Sequence, residues 1–185
     1  MDRRQALTLL AGIAGAPVLA HATSMTPVKA YAFSFPALDG TDIHLSAFMD
    51  KPILVVNTAS QCGYTPQFAG LQELWTRFHD QGLAVIGVPS NDFGGQEPGG
   101  AKEIAATAQH DYGVKFPMAA KTVVKGPNAS PFYKWAASER PREVPKWNFH
   151  KYLIGRQGWI AAVFPSEVEP TDTRVITAIA RELQG

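Results

Sequence analysis

Two unbroken apolar runs, Pro52–Thr58 and Leu83–Pro89, stand on either side of a segment with helical spacing. Both are rich in β-branched residues and neither alternates with polar ones, the pattern of strands buried on both faces. Between them Phe68, Leu71, Leu74, Trp75 and Phe78 recur at helical intervals, which predicts an amphipathic helix over Thr65–Gln81. Pro66 suits its first turn and Gly82 its end. The aromatic stripe on this helix reads most simply as core. A strand, helix, strand succession of this kind makes the chain an α/β protein.

The flanking segments fill out the architecture. Tyr31–Phe35 and Asp42–Leu45 alternate around Asp39-Gly40, a β-hairpin with that dipeptide as its turn. Asn91–Gly100 is a Gly/Pro-rich loop, Ala101–Tyr112 a helix stopped by Gly113, and Phe116–Val124 an irregular strand segment. A short helix is expected over Ser130–Ser138 and a charged loop over Glu139–Lys146. Lys151–Ile154 and Trp159–Phe164 form an antiparallel pair turned at Gly155 and Gly158. Thr171–Leu183 is a terminal amphipathic helix capped by Thr171 or Asp172. The order predicts a mixed central sheet with helices on both faces and an N-terminal hairpin.

Composition narrows the functional classes. Hydrophobic residues make up 45% and charged residues 18%, so a globular core is expected rather than disorder. The net charge is +1 and no basic run follows the amino terminus, which argues against general nucleic-acid binding. Residues 1–22 differ in kind: Arg3-Arg4, an apolar stretch Ala6–Leu19, then the small-x-small end Ala20-His21-Ala22. This describes a cleaved secretory signal, with an uncleaved anchor or a misplaced start as the alternatives. The arginine pair meets the twin-arginine export pattern only in part. Residues 23–30 read as a linker and 31–185 as one domain, with periplasmic or other exported location expected. Without residues 1–22 the chain carries 15 basic and 15 acidic residues.

The chemistry centres on Cys62, the single cysteine, placed between the first apolar run and the helix. A thiol at such a turn faces backbone N–H groups that favour the reactive thiolate; a buried structural cysteine is the plainer alternative. One cysteine excludes an intrachain disulfide and a cysteine-rich zinc site. His21, His44, His79, His110 and His150 offer no local metal-ligand pair. Gln96, Trp147 and Asn148 carry donors that stay neutral at any working pH. Aimed at a thiolate, they would stabilise it and the oxygen leaving a cleaved O–O bond. Each also has an ordinary reading, as turn residue, half-buried aromatic and loop cap, and spacing alone does not bring them together. Arg140, Arg142, Lys146 and Lys151 surround the Trp-Asn pair, either to hold the carboxylates of an anionic thiol or as a solvated loop. FGGQEPGG lacks the lysine and spacing of a phosphate loop.

The runs NTASQCGYTPQFAGL (57–71), GVPSNDFGGQEPG (87–99), YGVKFPM (112–118) and KWNFHKYLI (146–154) strongly resemble the glutathione peroxidase family. The likeness extends over about residues 31–165, with several long motifs in the family's order. It implies a thioredoxin-like fold and a catalytic tetrad, here Cys62, Gln96, Trp147 and Asn148. It also implies reduction of hydrogen peroxide and organic or lipid hydroperoxides through a sulfenic acid on Cys62. No cofactor is implied beyond an external thiol such as glutathione or a thioredoxin-like protein.

Three departures bear on that reading. EIAATAQHDYGV (103–114) places Ala108 where many cysteine-type relatives carry a resolving cysteine, so the oxidised sulfur must be reduced by a thiol from outside or through an intermolecular bridge. Glu167–Pro170 replaces a Thr-rich run. The segment between Ala136 and Trp147 is short, like that of monomeric members that accept lipid hydroperoxides and contact membrane lipid transiently. The alternative left by the missing second thiol is a peroxide sensor or redox-dependent binding protein without efficient turnover.

Overall fold

The computed structural model describes residues 27–184, so the expected signal segment and the first half of the linker, 23–26, lie outside the described residues. In chain order the elements are β1 (Ser34–Pro36), β2 (Asp42–His44), β3 (Ile53–Thr58), α1 (Gln67–Phe78), β4 (Ala84–Pro89), α2 (Ala101–Ala105), α3 (Pro131–Glu139), β5 (Lys151–Ile154), β6 (Ile160–Phe164) and α4 (Thr173–Gln184). β3 and β4 are the two apolar runs, and every residue in both is buried. They pair in parallel, Ile53 opposite Ala84 through Thr58 opposite Pro89. The sheet order is β4-β3-β5-β6, with β5 antiparallel to both β3 and β6. The expected mixed sheet is therefore present, and β1 pairs with β2 as a separate antiparallel hairpin.

Strand alternation divides the core into two layers. On one face Leu54 and Val56 pack with Phe68, Leu71 and Leu74 of α1, Ile104 of α2, and Val175 and Ile179 of α4. On the other face Ile53, Val55 and Ile86 pack with Phe132, Tyr133 and Trp135 of α3 and with Phe35 of the hairpin. Helices thus cover both faces, the arrangement that buries a parallel pair. Burial of this apolar surface is the main term holding the sheet together.

Several boundaries differ from expectation. Ala30–Ala32 and Leu45–Phe48 are short 3-10 turns, so the hairpin strands are shorter than the alternation suggested. The turn itself is as expected: Gly40 has φ of 84°, and Asp39 Oδ1 accepts the Thr41 N–H at 2.9 Å. The helix expected over Ala101–Tyr112 is α-helical only to Ala105 and continues as a π-turn over Ala106–Asp111. The Phe116–Val124 segment joins the sheet through isolated bridges, Met118 to Gly87 and Ala119 to Ala37, rather than as a strand. Pro117 lacks one of the N–H donors such a strand would need. Asp172 caps α4, its Oδ1 accepting the Arg174 N–H at 2.8 Å.

Candidate active site

Cys62 sits four residues past the end of β3, at the carboxyl edge where open α/β sheets place their chemistry. Its turn is held by Thr65, whose hydroxyl accepts the Cys62 N–H at 3.0 Å. The same hydroxyl lies 2.7 Å from the Cys62 carbonyl and 2.9 Å from that of Ala59, one of which takes its proton. α1 begins at Gln67, and the amide that reaches the sulfur belongs to the turn before it: the Tyr64 N–H donates to Cys62 Sγ at 3.4 Å. The residue is buried, 7% exposed.

Gln96 reaches this turn through the loop after β4. Its backbone carbonyl accepts the Gln61 N–H at 3.0 Å, next to the thiol. Its side chain meets Asn148, whose Nδ2 donates to Gln96 Oε1 at 2.9 Å. In that orientation both Gln96 amide hydrogens remain free to donate. Trp147, 39% exposed, lies beside them. A Cβ added at Gly94 would stand 3.3 Å from the Trp147 ring and 3.6 Å from Gln96 Cγ, so both side chains flank the same glycine. Phe93 adds a tilted aromatic contact, ring centroids 6.0 Å from Trp147. The structure therefore gathers Gln96, Trp147 and Asn148 beside the Cys62 turn. Among the described residues, none of the three hydrogen-bonds Sγ directly in this resting arrangement.

The Trp-Asn pair is positioned by the middle of the sheet. Asn57, wholly buried in β3, donates from Nδ2 to the Trp147 carbonyl at 3.1 Å and accepts the Phe149 N–H on its own carbonyl. Phe149 has φ of 62°, a left-handed conformation rare for a non-glycine residue. Lys151 braces it from β5. Its Nζ donates to the Phe149 carbonyl at 2.7 Å and to Gln67 Oε1 at 2.8 Å. Burial pushes this ammonium down to about 7, against the opposing attraction of Glu169 and Glu167.

A second support was not visible in the sequence. Glu97 is 1% exposed, and its Oε2 accepts both the Ser60 N–H at 3.0 Å and the Ser60 hydroxyl at 3.1 Å. Its own N–H donates to Asn91 Oδ1 at 3.0 Å. The carboxyl ties the Gln96 loop to the Cys62 loop. Burial raises its proton affinity, and the two Ser60 donors only partly offset that. A carboxylate in a Gly/Pro-rich loop reads as solvated, and its partner lies 37 positions away.

The basic cluster around Trp147 divides. Lys151 is wholly buried and spent on the contacts above. Arg140 donates to the Ile160 carbonyl at 2.7 Å. Only Arg142 and Lys146 border the cavity of about 680 Å³ that Tyr64, Trp147 and His150 also line. Burial, with Lys151 nearby, drops the His150 imidazole to about 4, so it is neutral at pH 7. A larger cavity of about 860 Å³, lined by Tyr31, Arg156 and Trp159, lies at the opposite end of the sheet from Cys62.

Comparison with known proteins follows the same lines. The family model for glutathione peroxidase matches residues 30–137. A hydroperoxy fatty acid reductase of Synechocystis sp. is 46% identical over 151 residues, covering 77% of this chain and 89% of that protein. A glutathione peroxidase-like peroxiredoxin of Schizosaccharomyces pombe is 44% identical, covering 71% and 85%. Among solved structures, the crystal structure of Trgpx in apo form superposes with a TM-score of 0.70 at 30% identity, over 86% of this chain and 98% of that one. A thioredoxin family thiol:disulfide interchange protein from Chlorobium tepidum matches with a TM-score of 0.61 at 15% identity, over 87% and 99%, a likeness of fold alone.

Proposed function

Because the chain belongs to the glutathione peroxidase family, and is thus a peroxidase of thioredoxin-like fold, we propose that Cys62 is its peroxide-reducing nucleophile and Gln96, Trp147 and Asn148 its supporting donors. The Cys62 thiolate attacks one oxygen of the hydroperoxide. An S–O bond forms and the O–O bond breaks. The second oxygen departs as alkoxide or hydroxide and takes a proton, giving alcohol or water, while sulfur is oxidised by two electrons to sulfenic acid. The free amide hydrogens of Gln96 and the indole N–H of Trp147 stabilise the thiolate and the departing oxygen. The observation that supports this reading is the pair of contacts at Gln96: its carbonyl accepts from Gln61, the neighbour of Cys62, and its side-chain oxygen accepts from Asn148, the neighbour of Trp147.

Reduction follows from the single cysteine. An external thiol condenses with the sulfenic acid, releasing water and leaving a mixed disulfide. A second thiol frees Cys62 and carries away the oxidised product. Ala108, wholly buried, supplies no internal alternative. Substrates are hydrogen peroxide and organic or lipid hydroperoxides, with glutathione or a thioredoxin-like protein as reductant. The chain acts as a monomer after export, requires no further cofactor, and meets membrane lipid transiently.

Stopped-flow mixing of the purified protein with excess peroxide tests the first step. One thiol per chain should disappear far faster than free cysteine reacts, and Cys62→Ser should abolish the reaction. A rate equal to that of free cysteine overturns the reading. The absent second thiol also favours a second reading, a peroxide sensor. A single oxidation that neither glutathione nor thioredoxin reverses would select it.

A further inference from the structure

A smaller cavity of about 300 Å³ opens between the segment after β4's loop, α3 and the chain leading to Trp147. Its walls are apolar, from Val124, Ala129, Ala137 and Val144, and Lys125 and Lys134 stand in its lining with no acidic residue among them. Both lysines are exposed, and neither takes part in an ion pair among the described residues. Asp92 Oδ2 accepts the backbone N–H groups of Val124 at 2.6 Å and Lys125 at 3.2 Å. Lys125 Nζ rests 4.5 Å above the Phe93 ring, the same ring that meets Trp147. Tyr133, also in the lining, has a buried hydroxyl with no protein partner.

Val144 lines this slot and also the 680 Å³ cavity that holds Tyr64 and Trp147. The two spaces therefore share a wall, and a long flexible molecule seated in the slot would pass over Val144 towards the Cys62 turn. Apolar walls favour a hydrocarbon, and two cations with no acidic residue beside them in the lining favour a carboxylate at one end. Arg142 and Lys146 add positive charge further along the path, accompanied there by Glu143 and Glu167.

We propose that this slot is a fatty-acid subsite, in which Lys125 and Lys134 hold the carboxylate of a long-chain hydroperoxy fatty acid while its chain crosses Val144 and presents the hydroperoxide beside Trp147. The inference rests on the peroxidase reading and adds to it the end of the substrate that is recognised. It requires a free acid; an esterified lipid brings the same chain without the charge.

Single-turnover oxidation of the protein by three oxidants tests it: hydrogen peroxide, linoleic acid hydroperoxide and the methyl ester of that hydroperoxide. The wild-type protein should react with the acid about tenfold faster than with the ester. The double variant Lys125→Gln/Lys134→Gln should lose that preference and keep its rate with hydrogen peroxide. Ala137→Leu, which fills the slot, should slow acid and ester alike and spare hydrogen peroxide. Equal wild-type rates for acid and ester, or rates with the acid unchanged in both variants, would overturn the subsite. If hydrogen peroxide fails to oxidise any of the proteins, the peroxidase reading falls. Calorimetric binding of unoxidised linoleate then still decides the slot, being supported by binding that the double variant loses and overturned by none.

Discussion

Glu97 joins the two loops that carry Cys62 and Gln96, and its removal should register in both activity and stability. In Glu97→Ala the Ser60 N–H and hydroxyl lose their acceptor, a cost of about 1–3 kcal/mol for buried groups left unpaired. The thermal midpoint should fall by several degrees and the rate of peroxide-dependent thiol loss by about tenfold or more. Glu97→Gln keeps an acceptor oxygen and should lie between the variant and wild type. Scanning calorimetry and stopped-flow thiol titration check the two effects. Cys62, Gln96, Trp147 and Asn148 were legible through the family resemblance of the runs that carry them, since each alone has an ordinary reading and spacing does not bring them together. The supporting roles of Glu97, Asn57 and Lys151 were not legible, because their partners lie 37, 90 and 84 positions away in the chain.

Among the elements, β3, β4 and α1 were readable because uninterrupted β-branched runs and a helical stripe admit few other structures. What escaped was the π-turn over Ala106–Asp111 and the bridge-only segment around Met118, both set by packing against other elements rather than by local pattern. β4 depends on that segment at Gly87. The Gly87 N–H donates to the Pro117 carbonyl at 3.0 Å, and its carbonyl accepts the Ala119 N–H at 2.8 Å. A Cβ at Gly87 would collide with the Met118 sulfur. Gly87→Ala should therefore destabilise the protein by about 1–3 kcal/mol, seen as an earlier urea midpoint. Pairing it with Met118→Ala, which vacates the space, should recover part of the loss.

For the whole molecule, buried bases set the response to pH. Folded His150 binds its proton only near pH 4, whereas the unfolded chain binds it near the ordinary value of 6.5. Stability should therefore rise as pH increases from about 4 to 6.5, where the unfolded state holds the extra proton. Lys151, lowered to about 7 from 10.5, predicts a second rise between about pH 7 and 10. Urea midpoints measured across this range should show both steps. His150→Phe should flatten the first and Lys151→Met the second.

Asn57 gives the molecule one more property. Through this amide and its carbonyl, β3 holds the backbone on either side of Asn148, at Trp147 and at Phe149. The Trp147-Asn148 pair is thus tied to a wholly buried strand of the central sheet. Heating should then leave catalytic competence intact until the tertiary structure itself gives way, and the inactivation curve should overlay the calorimetric one.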